Sequence, residues 1–287
     1  MGWVFRAKHI LDGHDVALKV LRHDQLSQDR AIDRMMREAA ILASVHHPGV
    51  PRFYECGLLA DHRPWIAMEL VEGTSLGTRM QAGALGAGEI LNLVGSVASV
   101  LAAAHDRGVT HRDLKPDNVF LTPGDPTYPV RLIDWGIAHH LAGARYTDLN
   151  EAIGTPTYMA PEQARGATPE GPCDVYGLGV VAYHALAGRP PFVGGSAIEI
   201  LVQHMRRPVP ALAPRCPHVP IGLVELVERM LAKHVDTRPT AIEVRDAIER
   251  LRDPTANSSH VPFYIDGVPA TVVDVPTTSF GRPRHRD

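Results

Sequence analysis

Strand-like and helix-like patterning divides this chain into a short first part built of strands and a longer second part built of helices. Residues 2–11 and 16–21 are strand-like, and Asp12-Gly13-His14-Asp15 between them supplies the turn of a hairpin. From residue 29 to 45 the period changes, with Ile32, Met35, Met36, Ala39 and Leu42 recurring at helical spacing. Two more strands are predicted at 53–59 and 65–70, leading to a hinge at Glu69-Leu70-Val71-Glu72-Gly73. Beyond it, residues 89–107 read as one long apolar helix. The chain then stays helical until packing periodicity fades at Pro254.

Composition narrows the classes of function. At 287 residues, 45% of them hydrophobic, the chain can bury a substantial core as one large domain or two small ones. Its 29 basic and 32 acidic residues are interspersed and leave a net charge of −3, so no electrostatic footprint for nucleic acid or an anionic membrane is expected. No run is expected to approach a transmembrane helix, and the start lacks a signal-peptide pattern. Cys56, Cys173 and Cys216 are few, odd in number and far apart, which predicts reduced thiols and a cytoplasmic location.

The candidate chemistry is concentrated in His111-Arg112-Asp113-Leu114-Lys115-Pro116-Asp117-Asn118, which puts a base, cations and a metal-ligating amide on one short loop. Any one of these residues alone reads as a solvated loop residue; eight in order do not. The stretch resembles the H-R-D-L-x-x-x-N element of protein kinases, and the lysine two after the aspartate is its serine/threonine form. Asp134-Trp135-Gly136 stands where the family has D-F-G, Ala160-Pro161-Glu162 matches A-P-E, and Val16-Ala17-Leu18-Lys19 matches V-A-I-K. Glu38 stands at the place of the lysine's partner. Asp174-Val175-Tyr176-Gly177-Leu178-Gly179 and Asp236-Thr237-Arg238-Pro239 look like the two late landmarks of the large lobe. The segment from Gly154 to Glu162 is especially similar to bacterial serine/threonine kinases of eukaryotic type.

The resemblance implies an α+β, bilobal kinase fold over residues 1–252. Residues 1–71 would be a small β-rich lobe lacking its first strand, 72–252 a larger helical lobe, and 253–287 a Pro/Thr-rich tail with a hairpin at 263–275. It implies transfer of the γ-phosphoryl of ATP to serine or threonine of protein substrates, with magnesium, and no nucleic-acid partner. Lys19, held by Glu38, would bind the nucleotide phosphates; Asp113 would accept the substrate hydroxyl proton; Lys115 would stabilise the moving phosphoryl group. Asn118 and Asp134 would ligate magnesium through oxygen. Val4, Ala17, Met68, Glu69, Val71 and Phe120 fall where the family holds adenine. Leu42, Phe53, His111 and Trp135 fall where it stacks four side chains between the lobes, and Trp135 replaces the usual Phe. Arg112 is the expected dock for a phosphate on the segment before Glu162, with Thr147 the preferred regulatory site and Thr155 expected to meet Lys115.

The start departs from the family pattern: of the G-x-G-x-x-G loop only Gly2-Trp3-Val4 remains. A start recorded downstream of the true one is the expectation. Two other readings stay open. A catalytically impaired nucleotide-binding scaffold would explain the incomplete glycine loop, and a small-molecule kinase of similar fold is disfavoured by the Gly154 to Glu162 segment.

Overall fold

The computed structural model describes residues 2–23, 31–135, 156–253, 264–265 and 268–269. Strands β1 (Trp3–Lys8), β2 (Asp15–Val20), β3 (Phe53–Leu58) and β4 (Pro64–Glu69) form an antiparallel sheet in the order β1-β2-β4-β3. Val4 lies opposite Lys19, which in turn faces Ile66, and Ala17 lies opposite Met68. Register partners share a face and the side-chain period of a strand is two. Val4, Ala17, Lys19 and Met68 therefore line one face. β1 is an edge strand, and Trp3, Val4 and Phe5 on it are half or more exposed.

Helix α1 (Ala31–Ser44) packs on β3 and β4. Met35, Ala39 and Leu42 are buried there, whereas Ile32 and Met36 are exposed. Of the five-residue stripe expected from the sequence, three positions are thus covered and two are not.

After the link, strand β5 (Thr74–Ser75) leads into α2 (Leu76–Gln81), whose first turn is capped by Ser75 Oγ accepting from Thr78 N at 3.1 Å. Helix α3 (Ala87–His105) begins where the Glu89 carboxylate accepts from Gly86 N at 3.0 Å. By length and composition α3 is apolar enough to cross a membrane, which corrects the expectation that no run approaches that limit. Its apolar face is taken up instead by two other helices, α5 (Gly171–Ala187) and α8 (Ala241–Arg252). Ile90, Val94, Val97, Ala98 and Leu101 are wholly buried. Strands β6 (Val119–Leu121) and β7 (Val130–Leu132) pair with each other and with β5 in a second small sheet. The helical lobe is completed by the short α4 (Pro161–Ala164), α6 (Ala197–Arg206) and α7 (Ile221–Met230). Gly188, at φ +70°, ends α5 in the left-handed region that a side chain would disfavour.

One core joins the two parts. Leu42, Val45 and Val50 belong to the same buried cluster as Val100, Leu132 and Tyr176, and Leu132 N donates to Gly49 O at 2.8 Å. Residues Met1–Arg252 form one compact unit and Asp253–Asp287 another. In the second unit β8 (Tyr264–Ile265) pairs antiparallel with β9 (Val268–Pro269). The rest of the hairpin expected over 263–275 lies outside the described residues.

Gly49 lies where the two parts of the core approach closely: a Cβ there would collide with the Val100 side chain and crowd His47 and Tyr128. Replacing it by alanine is expected to destabilise the fold by about 1–3 kcal/mol through overpacking. Urea unfolding of Gly49→Ala measures this, and an unchanged midpoint would contradict the close approach.

Candidate active site

The loop of residues 111–118 runs from the end of α3 to β6, and its backbone is held from beneath by α5. Asp174 on that helix is 1% exposed; its Oδ2 accepts from His111 N and its Oδ1 from Arg112 N, each at 2.7 Å. His105 Nε2 reaches the same carboxylate at 2.9 Å. Charge-assisted bonds from backbone amides offset the desolvation of a buried carboxylate. They also hold Arg112 at φ +69°, a conformation unusual for a residue with a side chain. The other side of that strained residue is fixed too: Arg112 O accepts from Gln163 Nε2 at 2.9 Å, while Gln163 Oε1 caps α4 by accepting from Ala160 N.

With the backbone fixed, the side chains converge. Lys115 Nζ donates to Asp113 Oδ2 at 2.7 Å, and Asn118 Nδ2 donates to Asp113 O at 2.8 Å and to Oδ2 at 3.2 Å. Asp113 and Lys115 are largely shielded, their side chains 13% and 16% exposed. The β6–β7 pairing continues through Ile133 N to Asn118 O, which brings Asp134 to the same end of the hairpin as Asn118. Asp134 has φ +53°, and its Oδ1 accepts from Lys19 Nζ at 3.0 Å. Lys19 on β2 and Asp134 after β7 thus tie the two sheets together across the cleft. The loop therefore collects the Asp113 carboxylate with a cation and an amide beside it, and the Asp134 carboxylate, paired with Lys19, follows β7 at the same end of the hairpin. Carboxylate and amide oxygens are hard donors that fit magnesium.

Glu38 lies on α1, but its side chain is outside the described residues, as are Gly136, Tyr146, Thr147 and Thr155. Thr157 is described and forms part of a short 3-10 turn, Pro156–Tyr158. Of the residues matched to the adenine site, Val4, Ala17 and Met68 share the sheet face of Lys19, Phe120 lies on β6, and Val71 is half-buried in the link. Glu69 closes β4, and its side chain is committed elsewhere. Its Oε1 accepts from Arg131 Nε at 3.2 Å and its Oε2 from Arg52 N at 3.0 Å. Any contact of Glu69 with a base is thereby left to its backbone.

The four stacked positions fall in one core. Leu42 and Trp135 are buried in one cluster, Phe53 packs against that cluster, and the His111 and Trp135 rings lie 4.9 Å apart. Trp135 differs from phenylalanine by an N–H that needs a partner when buried, and Leu132 O accepts it at 3.1 Å. His111 is fully buried and donates from Nε2 to Ile133 O, so burial lowers its pKa and keeps the ring neutral. Among the described residues Arg112 Nε is buried without an acceptor.

Several contributors could not be singled out in the sequence. Gln163 sits just beyond a recognised motif, and only its bond to Arg112 O shows its task. Arg131, 4% exposed, joins Glu69 to Asp125 and to the Tyr128 carbonyl and so pins the link to the larger lobe. A third group fixes the turn that holds Thr157. His204 Nε2 donates to Thr157 O at 2.9 Å, its Nδ1 accepts from Tyr176 OH at 2.9 Å, and Lys233 Nζ reaches His204 O at 2.8 Å. Arg238, paired with Glu162 at 2.6 and 2.8 Å, lies over the Tyr176 ring.

With this geometry established, comparison with known proteins gives consistent matches. The protein kinase domain profile matches residues 1–247. The chain is 39% identical to the serine/threonine-protein kinase pkn2 of Myxococcus xanthus over 86% of its own length and 30% of that protein. It is 35% identical to the serine/threonine-protein kinase PrkC of Bacillus subtilis, over 81% of this chain and 36% of that protein. The chain therefore spans about a third of these curated relatives. Among solved structures, the kinase domain of Mycobacterium tuberculosis PknI superposes with a TM-score of 0.67 at 30% identity, covering 87% of this chain and 90% of that one.

The His204 network generates a pH prediction. Burial, and next the charge of Lys233, lower the His204 pKa to about 4, below the ordinary value near 6.5. Between those two values the unfolded chain binds a proton that the folded one refuses, so stability falls as pH drops from about 6.5 towards 4. The full linkage is on the order of 3 kcal/mol. In melting curves across that window, His204→Gln is expected to lose stability at neutral pH but to show a shallower acid slope; an unchanged slope would show that His204 does not carry the effect.

Proposed function

This chain belongs to the protein kinase domain family, and from that premise we propose that it transfers the γ-phosphoryl group of ATP to serine or threonine side chains of protein substrates. The observation that carries this reading is the convergence of Lys115 and Asn118 on Asp113, over a loop anchored by Asp174.

Phosphoryl transfer depends on positioning and charge stabilisation more than on covalent chemistry. Asp113 orients the attacking hydroxyl and takes its proton. Lys115, already hydrogen-bonded to that carboxylate, is placed to donate to the transferred phosphoryl oxygens. Lys19 holds the phosphates of the nucleotide, with Glu38 as its partner on α1. Asp134 and Asn118 would hold magnesium through oxygen ligands, and the ion would supply charge neutralisation for the phosphates. Val4, Ala17, Met68 and Phe120 would enclose the adenine, with backbone contacts from Glu69 and Val71.

Arg112 supports a regulatory reading of the same site. Its buried Nε lacks an acceptor among the described residues, which suits a phosphate on Thr147, with Thr155 kept for Lys115. The three free cysteines favour a reducing compartment such as the cytoplasm. A non-catalytic scaffold is disfavoured because it would have no use for Lys115 and Asn118 both bonded to the Asp113 side chain.

The test is a phosphotransfer assay with magnesium, ATP and a generic protein substrate. Asp113→Asn is expected to lower turnover by roughly 10²-fold to 10⁴-fold with an unchanged melting temperature, and phosphoamino-acid analysis is expected to show phosphoserine and phosphothreonine. Turnover in Asp113→Asn equal to that of the unaltered chain would refute the mechanism.

A further inference from the structure

The turn between β1 and β2 carries a second cluster of ligand-type side chains that phosphoryl transfer does not use. His9, Asp12 and His14 each present one donor atom, and these atoms lie within 4.8 Å of one another. His9 Nδ1 is 2.8 Å and His14 Nδ1 2.5 Å from the same oxygen, Asp12 Oδ1. The backbone builds this convergence. Gly13, at φ +74°, lets the chain turn back, Gly13 N donates to His9 O, and His9 N donates to His14 O, each at 2.9 Å. The two imidazole rings are thereby brought to 4.9 Å between centroids, with the Tyr54 ring edge-on to His14 at 5.0 Å.

Two neighbouring facts restrict what the cluster can bind. Asp15 is taken up by Arg6 and Lys8, the latter at 3.0 Å, so Asp12 is the carboxylate left for this group. The Nε2 of His14 is buried and has no hydrogen-bond partner, which leaves Nδ1 as the side of the ring that interacts. From these observations we propose that the β1–β2 turn is a zinc-class metal site, ligated by His9 Nδ1, Asp12 Oδ1 and His14 Nδ1 with water completing the shell.

Two imidazole nitrogens, which are borderline donors, together with one carboxylate oxygen make a mixed set suited to Zn²⁺ or Co²⁺. Magnesium, a hard ion that favours oxygen ligands, is a poor match for them. Occupancy closes the six-residue turn between the end of β1 and the start of β2, stapling an edge strand to the strand that carries Lys19. The site is structural, and its ligands are separate from Asp113, Asn118 and Asp134. The competing arrangement is a metal-free clasp in which each ring donates Nδ1–H to Asp12.

The experiment titrates Zn²⁺ into the intact chain in magnesium buffer by calorimetry, follows Co²⁺ by visible absorption, and records histidine side-chain ¹⁵N spectra of the unaltered protein with and without Zn²⁺. One equivalent of Zn²⁺ is expected, with metal-induced shifts at Nδ1 of two histidines. In His9→Gln and His14→Gln, binding is expected to weaken more than about tenfold, a loss that even an outer-shell change can produce. No binding by the unaltered chain establishes the metal-free clasp and overturns the proposal. Equal binding in both variants, or shifts confined to Nε2, places the metal elsewhere and overturns it as well. The nitrogen spectra need no variant, so misfolding of a mutant would not obscure the result.

Discussion

The Asp174 carboxylate is the interaction on which the site depends. Buried in an otherwise apolar helix, it has few ways to satisfy a charge, and it does so by accepting from two consecutive amides of the loop above it. That arrangement is directional. A carboxylate with two fixed oxygens sets where His111 and Arg112 lie, and it stabilises a positive φ at Arg112 that would otherwise cost on the order of 1 kcal/mol or more. Asp113 follows directly, so its side chain is aimed by the backbone before any substrate arrives. Lys115 and Asn118 then complete a small network whose members each need the others.

The same loop is coupled outward in two directions. Through His111 and Trp135 it joins the buried cluster that contains Leu42 of α1, so a shift of that helix must repack the wall behind Asp134. Through Gln163 it is tied to α4, and α4 is held by the Glu162–Arg238 pair. His204 extends this anchoring to Thr157, next to the segment where regulatory phosphorylation is proposed. Such rigid, hydrogen-bonded support allows a loop to hold reactive groups in a fixed geometry.

Much of this was legible in the sequence because the relevant residues sit in contiguous motifs. Asp113, Lys115, Asn118, Asp134 and Lys19 are marked by their neighbours, and the fold class follows from strands giving way to helices. The rest depends on side chains that meet only after folding. His204 reads as a lone histidine on an amphipathic helix; its partners, Tyr176 and Thr157, are 28 and 47 positions away. Arg131 likewise reads as one polar residue in a short strand, although it bonds Glu69, 62 positions earlier. Pattern also misjudged exposure. Ile32 and Met36 match the period of α1 but are exposed, and the apolar content of α3 fits a core helix and a membrane span equally well.

The central claim is that two loop amides are held by one buried carboxylate, and amide hydrogen exchange resolved at His111 and Arg112 tests it most directly. The account predicts that both amides exchange as slowly as the core of α5, and that Asp174→Asn speeds them selectively while leaving the amides within α3 protected. Exchange at His111 and Arg112 as fast as in an exposed loop would contradict it.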